Sequence, residues 1–347
     1  MLLLALACSP SPKDSADPGT TPQPFRVAFI ADTHVVAPQY ECCSESEGID
    51  NESIMKTPER LRGVVERVNA IDPPPEALFI LGDLMHAPYW SSEAAWYEQE
   101  HSAFSLTQEI LAELQVPVHI VWGNHDYEVD CGEPPELVTG TSDHLIGVER
   151  DLSAELFEAF FGQPLYQAVD IRGWRFILGN GMLGPTWDWS DERCATSFSS
   201  YGAEQLAFID EQLSMGLPSF FLTHHGIFVT SRDEQADKQR PDLGTVLERH
   251  DNVELMMAGH THRWIDAGEA NAFPHIVIAA TRYDTDNFLL LEFDPAEQVD
   301  TSEYGAGYRI LDYDKALWST TCADTWRYDQ RVELDPDAGP EEGDCGY

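Results

Sequence analysis

Short runs that are apolar at nearly every position recur along this chain, and many run straight into a turn of glycine, aspartate or histidine. Phe25–Ile30, Ala77–Leu81, Pro117–Val121, Trp174–Leu178, Ser219–Leu222, Val253–Met257, His275–Ala279 and Phe288–Phe293 are of this kind. Runs this short and this rich in β-branched and aromatic residues read as strands buried on both faces. Helical patterns lie between them. Leu61, Val64, Val65, Val68 and Ile71 fall on one helical face, Thr57-Pro58-Glu59 supplies a cap, a first-position proline and a first-turn acid, and Pro73-Pro74-Pro75 stops the segment. Further helices are expected over Glu93–Gln115, Ser153–Phe161 and Gly202–Met215. Strand–helix alternation without an internal repeat predicts an α/β architecture with both sheet faces covered.

Five of the strands run into side chains that can bind metal ions. The first leads to Asp32-Thr33-His34, the second to Gly82-Asp83 and the third to Gly123-Asn124-His125-Asp126. Ser219–Leu222 leads to Thr223-His224-His225, and Val253–Met257 to Gly259-His260-Thr261-His262. Taken one at a time these are ordinary loop dipeptides. As an ordered set, each behind a strand, they predict one crevice at the carboxyl ends of the strands. Carboxylate, imidazole and amide donors without a thiolate suit Mn, Fe, Zn or similar ions.

The ordered set Asp-x-His, Gly-Asp, Gly-Asn-His-Asp, His and Gly-His-x-His resembles the signature of the calcineurin-like metallophosphoesterase superfamily, over roughly residues 25–293. The resemblance implies a two-sheet β-sandwich flanked by helices and two divalent or trivalent transition-metal ions. In that reading Asp32, His34, Asp83 and His262 hold the first ion. Asp83, Asn124, His224 and His260 hold the second, with Asp83 bridging. His224 is favoured over His225 because Gly226 falls where the family's His-x-Pro pattern has its proline. His125 is then a general acid and transition-state stabiliser, and Asp126 a group that orients it. A metal-bridging hydroxide would attack a small phosphate mono- or diester. The Gly-Asp block departs from two branches. It carries His86 where purple acid phosphatases have a tyrosine ligand, and it lacks the Asp-Arg-Gly of Ser/Thr protein phosphatases. Arg282 and Tyr283, after the His275 strand, could reach a phosphate, but are expected as ordinary surface residues. The alternative reading is a non-catalytic extracytoplasmic binding module that keeps the fold.

The rest of the chain bears on partners and compartment. A net charge of −41, with 20 Lys plus Arg against 61 Asp plus Glu and no basic run, argues against nucleic acid as a partner. Bound cations reverse the local sign, so an anionic small substrate stays compatible with it. Leu2–Ala7 before Cys8 resembles the end of a bacterial lipoprotein signal, and Ser9–Pro24 reads as a flexible tether. Export to the periplasm or cell surface, with a lipid anchor through Cys8, is therefore expected. The remaining cysteines, Cys42, Cys43, Cys131, Cys194, Cys322 and Cys345, are expected as disulfides. The chain divides into a leader and linker (1–24), a metallophosphoesterase domain (25–295) and a C-terminal extension with an acidic tail (296–347). Inserts at Val35–Met55 and Gly184–Ser200 are expected as pocket walls, and Trp187 and Trp189 in the second either face a leaving group or simply cover the sheet.

Overall fold

The computed structural model describes residues 23–40, 53–98, 102–129, 131, 136–138, 144–146, 150–194, 199–226, 243–270, 273–294 and 307–311. In order these form β1 (Phe25–Ile30), α1 (Thr57–Asn69), β2 (Leu78–Leu81), a 3₁₀ turn (Ala94–Glu98), α2 (Ala103–Leu111) and β3 (Val118–Val121). Then come a small hairpin of β4 (Glu136–Val138) and β5 (His144–Ile146), α3 (Arg150–Phe161), β6 (Gln167–Ile171) and β7 (Trp174–Leu178). A 3₁₀ turn (Pro185–Trp187), α4 (Gly202–Ser214), β8 (Ser219–Leu222), α5 (Leu243–Leu247) and β9 (Val253–Ala258) follow. The last strands are β10 (Ile265–Ala270), β11 (Phe273–Val277), β12 (Leu289–Phe293) and β13 (Tyr308–Ile310).

Two mixed sheets result, in the orders β13-β12-β1-β2-β3 and β10-β11-β9-β8-β7-β6. They pack face to face. Phe25, Val27 and Phe29 of β1 and Phe79 and Leu81 of β2 meet Phe176, Phe220, Leu222 and Leu255 of the second sheet. The alternate residues point outward: Ala28, Ile30, Leu78 and Ile80 pack on Leu61, Val64, Phe104, Ile110 and Phe157 of the first helical layer. Ile177, Phe221 and Met256 pack likewise on Leu206, Ile209 and Leu213 of α4 and on α5. Each sheet thus has helices on one face and the other sheet on its second face. An apolar run on its own does not distinguish these covers, because a strand between two helical layers and a strand between a sheet and a helical layer carry the same pattern. Aromatic rings bind the inter-sheet layer: Phe79 stacks on Phe29 at 5.4 Å and on Phe176 at 4.9 Å, and Phe176 meets Phe220 at 5.3 Å.

Several local expectations are revised. The segment expected as one helix from Glu93 begins as the 3₁₀ turn, and α2 starts afresh at Ser102, whose side chain and that of Ser105 form a reciprocal capping box. Thr57 does not cap α1; Lys56 occupies that position and the Thr57 hydroxyl donates to the Ile54 carbonyl at 2.8 Å. Tyr308–Ile310, assigned by sequence to the C-terminal extension, pairs with β12 as an edge strand. Cys131 and Cys194 form a disulfide that ties the loop after the third motif to the insert at 184–200. Cys8, Cys42, Cys43, Cys322 and Cys345 lie outside the described residues, as does most of the leader.

The topology fixes where the chemistry can be. β1, β2 and β3 run parallel, as do β7, β8 and β9, so the carboxyl ends of the motif-bearing strands gather at one edge. The two sheets are joined there by backbone bonds: Thr281 N donates to Ala31 O at 2.9 Å and Arg282 N to Asp32 O at 3.0 Å. Truncating the ring at the centre of the inter-sheet layer, Phe176→Ala, should cost about 3–5 kcal/mol of unfolding free energy by chemical denaturation. The exposed control Glu211→Ala should stay within about 0.5 kcal/mol of the parent. A Phe176→Ala variant as stable as that control would contradict the packing described.

Candidate metal centre

The strand ends reach their turns through left-handed backbone. Asp32, His34, Asp83, His260 and His262 have φ of 52°, 49°, 47°, 72° and 59°. Such values are uncommon for residues with a Cβ, and they concentrate at sites whose surroundings hold them in place. Here the restraint comes from neighbouring blocks: Asp32 N donates to Gly82 O at 3.0 Å and His34 N to Asp83 O at 2.9 Å. Gly82 itself has φ 86°, and a Cβ there would enter the His224 ring. A Cβ at Gly123 would collide with the backbone nitrogen and carboxylate of Asp83.

The structure brings all seven expected ligand side chains to this edge. Ligand atoms of Asp32, His34, Asp83 and His262 lie within 4.8 Å of one another, and so do those of Asp83, His224 and His260. Asn124 joins the second group, its Oδ1 3.0 Å from both His224 Nε2 and His260 Nδ1. Asp83 belongs to both groups. Backbone amides aim the carboxylates: His260 N donates to both oxygens of Asp32 at 3.0 and 3.1 Å, and His125 N donates to Asp83 Oδ1 at 2.8 Å.

The electrostatics call for a cation. Asp32 and Asp83 are buried, and among the described residues their ion-pair partners within 4 Å are histidines. Burial pushes the Asp32 carboxyl up to about 8, with His224 opposing the rise and Asp83 adding to it. Burial also opposes ionisation of Asp83, but the imidazoles of His224, His125 and His34 outweigh it and hold this carboxyl well below its usual range. Burial likewise lowers His34 and His262 well below the ordinary histidine value and takes His260 down to about 3. These three imidazoles are thus neutral, the donor state that a metal ion requires, while His224 is held as the cation by Asp83 until a metal takes the place of its proton. The geometry agrees. His224 Nδ1 lies 2.9 Å from the Leu81 carbonyl, which can only accept. Nε2 stands 3.0 Å from Asn124 Oδ1 and 3.3 Å from Asp83 Oδ2, so loss of its proton to a bound metal would leave a third lone pair aimed at the same point. Three acceptors converging on one point fit a bound cation.

His125 stands at the rim, its side chain 34% exposed. Its orienting partner is Glu128 rather than Asp126. Glu128 Oε1 lies 3.2 Å from His125 Nδ1 and accepts from Ala87 N at 3.3 Å. Burial works against the imidazolium of His125, but the Asp83 and Glu128 carboxylates outweigh it and raise its pKa. Asp126 is turned to backbone: its oxygens accept from Gly123 N, Leu84 N and Met85 N at 2.9, 3.1 and 2.8 Å, locking the second motif to the third. The sequence signal for Glu128 was an acid three residues beyond His125, invisible among 61 acidic residues.

Other candidates sort by position. His225 is buried against the His260 ring at 4.2 Å and the Trp187 ring at 5.8 Å, and among the described residues neither of its nitrogens has a hydrogen-bond partner. Trp187 is core, packed on Tyr127, whereas Trp189 is half-buried. Arg282 and Tyr283, expected at the surface, are both buried. The Arg282 guanidinium donates to Ser53 Oγ at 3.2 and 3.3 Å, and the Tyr283 ring lies 5.7 Å from that of His262.

Comparisons with known proteins bear on the fold and the family. A dimetal phosphatase from Danio rerio shares the fold, with a TM-score of 0.52 at 14% identity, covering 84% of this chain and 99% of that one. A probable cyclic nucleotide phosphodiesterase of Synechococcus sp. is 24% identical over 201 residues, which is 54% of this chain and 58% of the relative. The chain thus spans a little over half the length of that curated relative. The calcineurin-like phosphoesterase profile matches residues 25–264, taking in all five motif blocks, and the chain belongs to that family.

Proposed function

We propose that the chain is a metal-dependent phosphoesterase that hydrolyses a small phosphate mono- or diester at this centre. The observation that carries the reading is the Asp83 carboxylate, which is common to both groups of converging ligands. In this reading Asp32, His34, Asp83 and His262 hold one transition-metal ion, and Asp83, Asn124, His224 and His260 hold a second. Two such ions, held by these residues, would supply a hydroxide nucleophile at neutral pH and positive charge for the phosphoryl oxygens. The chain's own residues do the rest. The hydrogen bond from His125 Nδ1 to Glu128 leaves Nε2 to carry a proton to the departing oxygen. Asp126 keeps the two motif loops in register through three backbone amides. The name of the Synechococcus relative makes a diester the class to try first.

Purified protein replete with Mn²⁺ should hydrolyse bis-p-nitrophenyl phosphate or p-nitrophenyl phosphate, and the ratio of the two rates separates diesterase from monoesterase. Absence of both activities from metal-loaded protein would leave a binding module. His125→Ala should keep its metal content and lose kcat by roughly 10²–10⁴-fold, the range for a positioned general acid. The defect should shrink for aryl leaving groups of low pKa and grow for alkyl esters. A defect equal across the series would instead make His125 a phosphoryl contact.

We also propose export and lipid anchoring through Cys8. The apolar run before Cys8 and the linker after it support this, as does the Cys131–Cys194 bridge, since such bonds persist in oxidising compartments. Cells expressing the chain should incorporate labelled fatty acid into it and release it from membranes in the Cys8→Ser form. An unlabelled parent chain would exclude the anchor.

A further inference from the structure

A histidine that ligates through one ring nitrogen must place its proton on the other, and the group accepting that proton sets the ring's aim. For His224 the acceptor is the Leu81 carbonyl, part of the strand backbone. His34 turns its Nε2 to the same cluster, 3.5 Å from Asp83 Oδ2 and 3.0 Å from His262 Nε2. Its Nδ1 faces the side chain of His86, Nδ1 to Nδ1, at 3.3 Å. With Nε2 of His34 bare, the shared proton belongs to His34, and Nδ1 of His86 must accept it. His86 then carries its own proton on Nε2.

Resting on the metal-dependent reading, we propose that His86 is a positioning residue that fixes the tautomer and direction of His34 and so sets the affinity of the first metal position alone. The surroundings hold His86 for that task. Its backbone N donates to Val35 O at 3.1 Å, beside His34 in sequence, and Val35 bridges Met85. Its ring lies 4.8 Å from the His125 ring at 32° and 5.7 Å from the Tyr40 ring at 85°. Tyr40 is itself fixed in a buried cluster with Val36, Ile54 and Ala87. The two metal positions therefore differ in how their histidines are braced: by a main-chain carbonyl at His224, and by a replaceable side chain at His34. A spacer role would require only a ring of similar size at residue 86, whereas the acceptor role requires a lone pair where Nδ1 stands.

The test is binding of Mn²⁺ to the full chain, by competition with a chelating dye, for the parent and two variants. His86→Phe keeps a ring and removes the acceptor. His86→Asn removes the ring and can place an amide oxygen where Nδ1 stood. The parent should bind two ions. His86→Phe should bind one of them 10–100-fold more weakly, the range for loss of such a partner, and the other unchanged. His86→Asn should recover most of that loss. Parental binding of both ions by His86→Phe would overturn the proposal, as would equal weakening of both ions, or weakening in His86→Asn as large as in His86→Phe. A parent chain that binds no ion would defeat the metal-dependent reading itself, which keeps the two failures apart.

Discussion

The Asp83 carboxylate sits where the two sheets meet and touches each part of the candidate centre. One oxygen accepts the His125 amide at 2.8 Å, and the other lies 3.5 Å from His34 Nε2 and 3.3 Å from His224 Nε2. A buried carboxylate so placed must draw positive charge toward itself. In the bare chain that charge is a proton: burial lowers His224, but Asp83 outweighs it and raises its pKa to about 9. A metal ion satisfies the same demand and engages several lone pairs at once. The close backbone at Gly123 and the left-handed turns at Asp32, His34, Asp83, His260 and His262 make sense as the means of crowding these donors around one group.

That crowding rests on the packing beneath it. Strained turns persist only on a rigid base, and the aromatic layer of Phe29, Phe79, Phe176 and Phe220 between the sheets supplies one. Parallel strands send their carboxyl ends to one edge, and the bonds from Thr281 and Arg282 to Ala31 and Asp32 close that edge between the sheets. Candidate ligands separated by more than two hundred residues in sequence, such as His34 and His262, come within 3.0 Å in this way.

Much of the centre was legible in the sequence because its residues are chemically scarce. The chain has 12 histidines, and five strand ends carrying aspartate, asparagine or histidine stand out against apolar runs. Residues of common type were harder to read. Glu128 is one acid among many, and only the backbone turn at φ 47° brings its carboxylate back under His125. Asp126 sat beside His125 in sequence and so was read as its partner, but a loop amide cluster claims both oxygens. Arg282 and Tyr283 looked exposed because arginine and tyrosine tolerate solvent. Both are buried, Arg282 beside Ser53, more than two hundred residues away in sequence, and Tyr283 beside the His262 ring. The paired sheets followed from the family resemblance and not from strand patterns, which record burial but not what does the burying.

The central claim is that one carboxylate serves two metal ions. Anomalous X-ray diffraction from crystals grown with Mn²⁺ tests it directly, since manganese is located without assumptions about the ligands. The account predicts two peaks per chain, one among Asp32, His34 and His262 and one among Asn124, His224 and His260, with a different Asp83 oxygen, or the same one, bound to each. A single peak at full Mn²⁺ loading, or two peaks of which only one contacts Asp83, would contradict it.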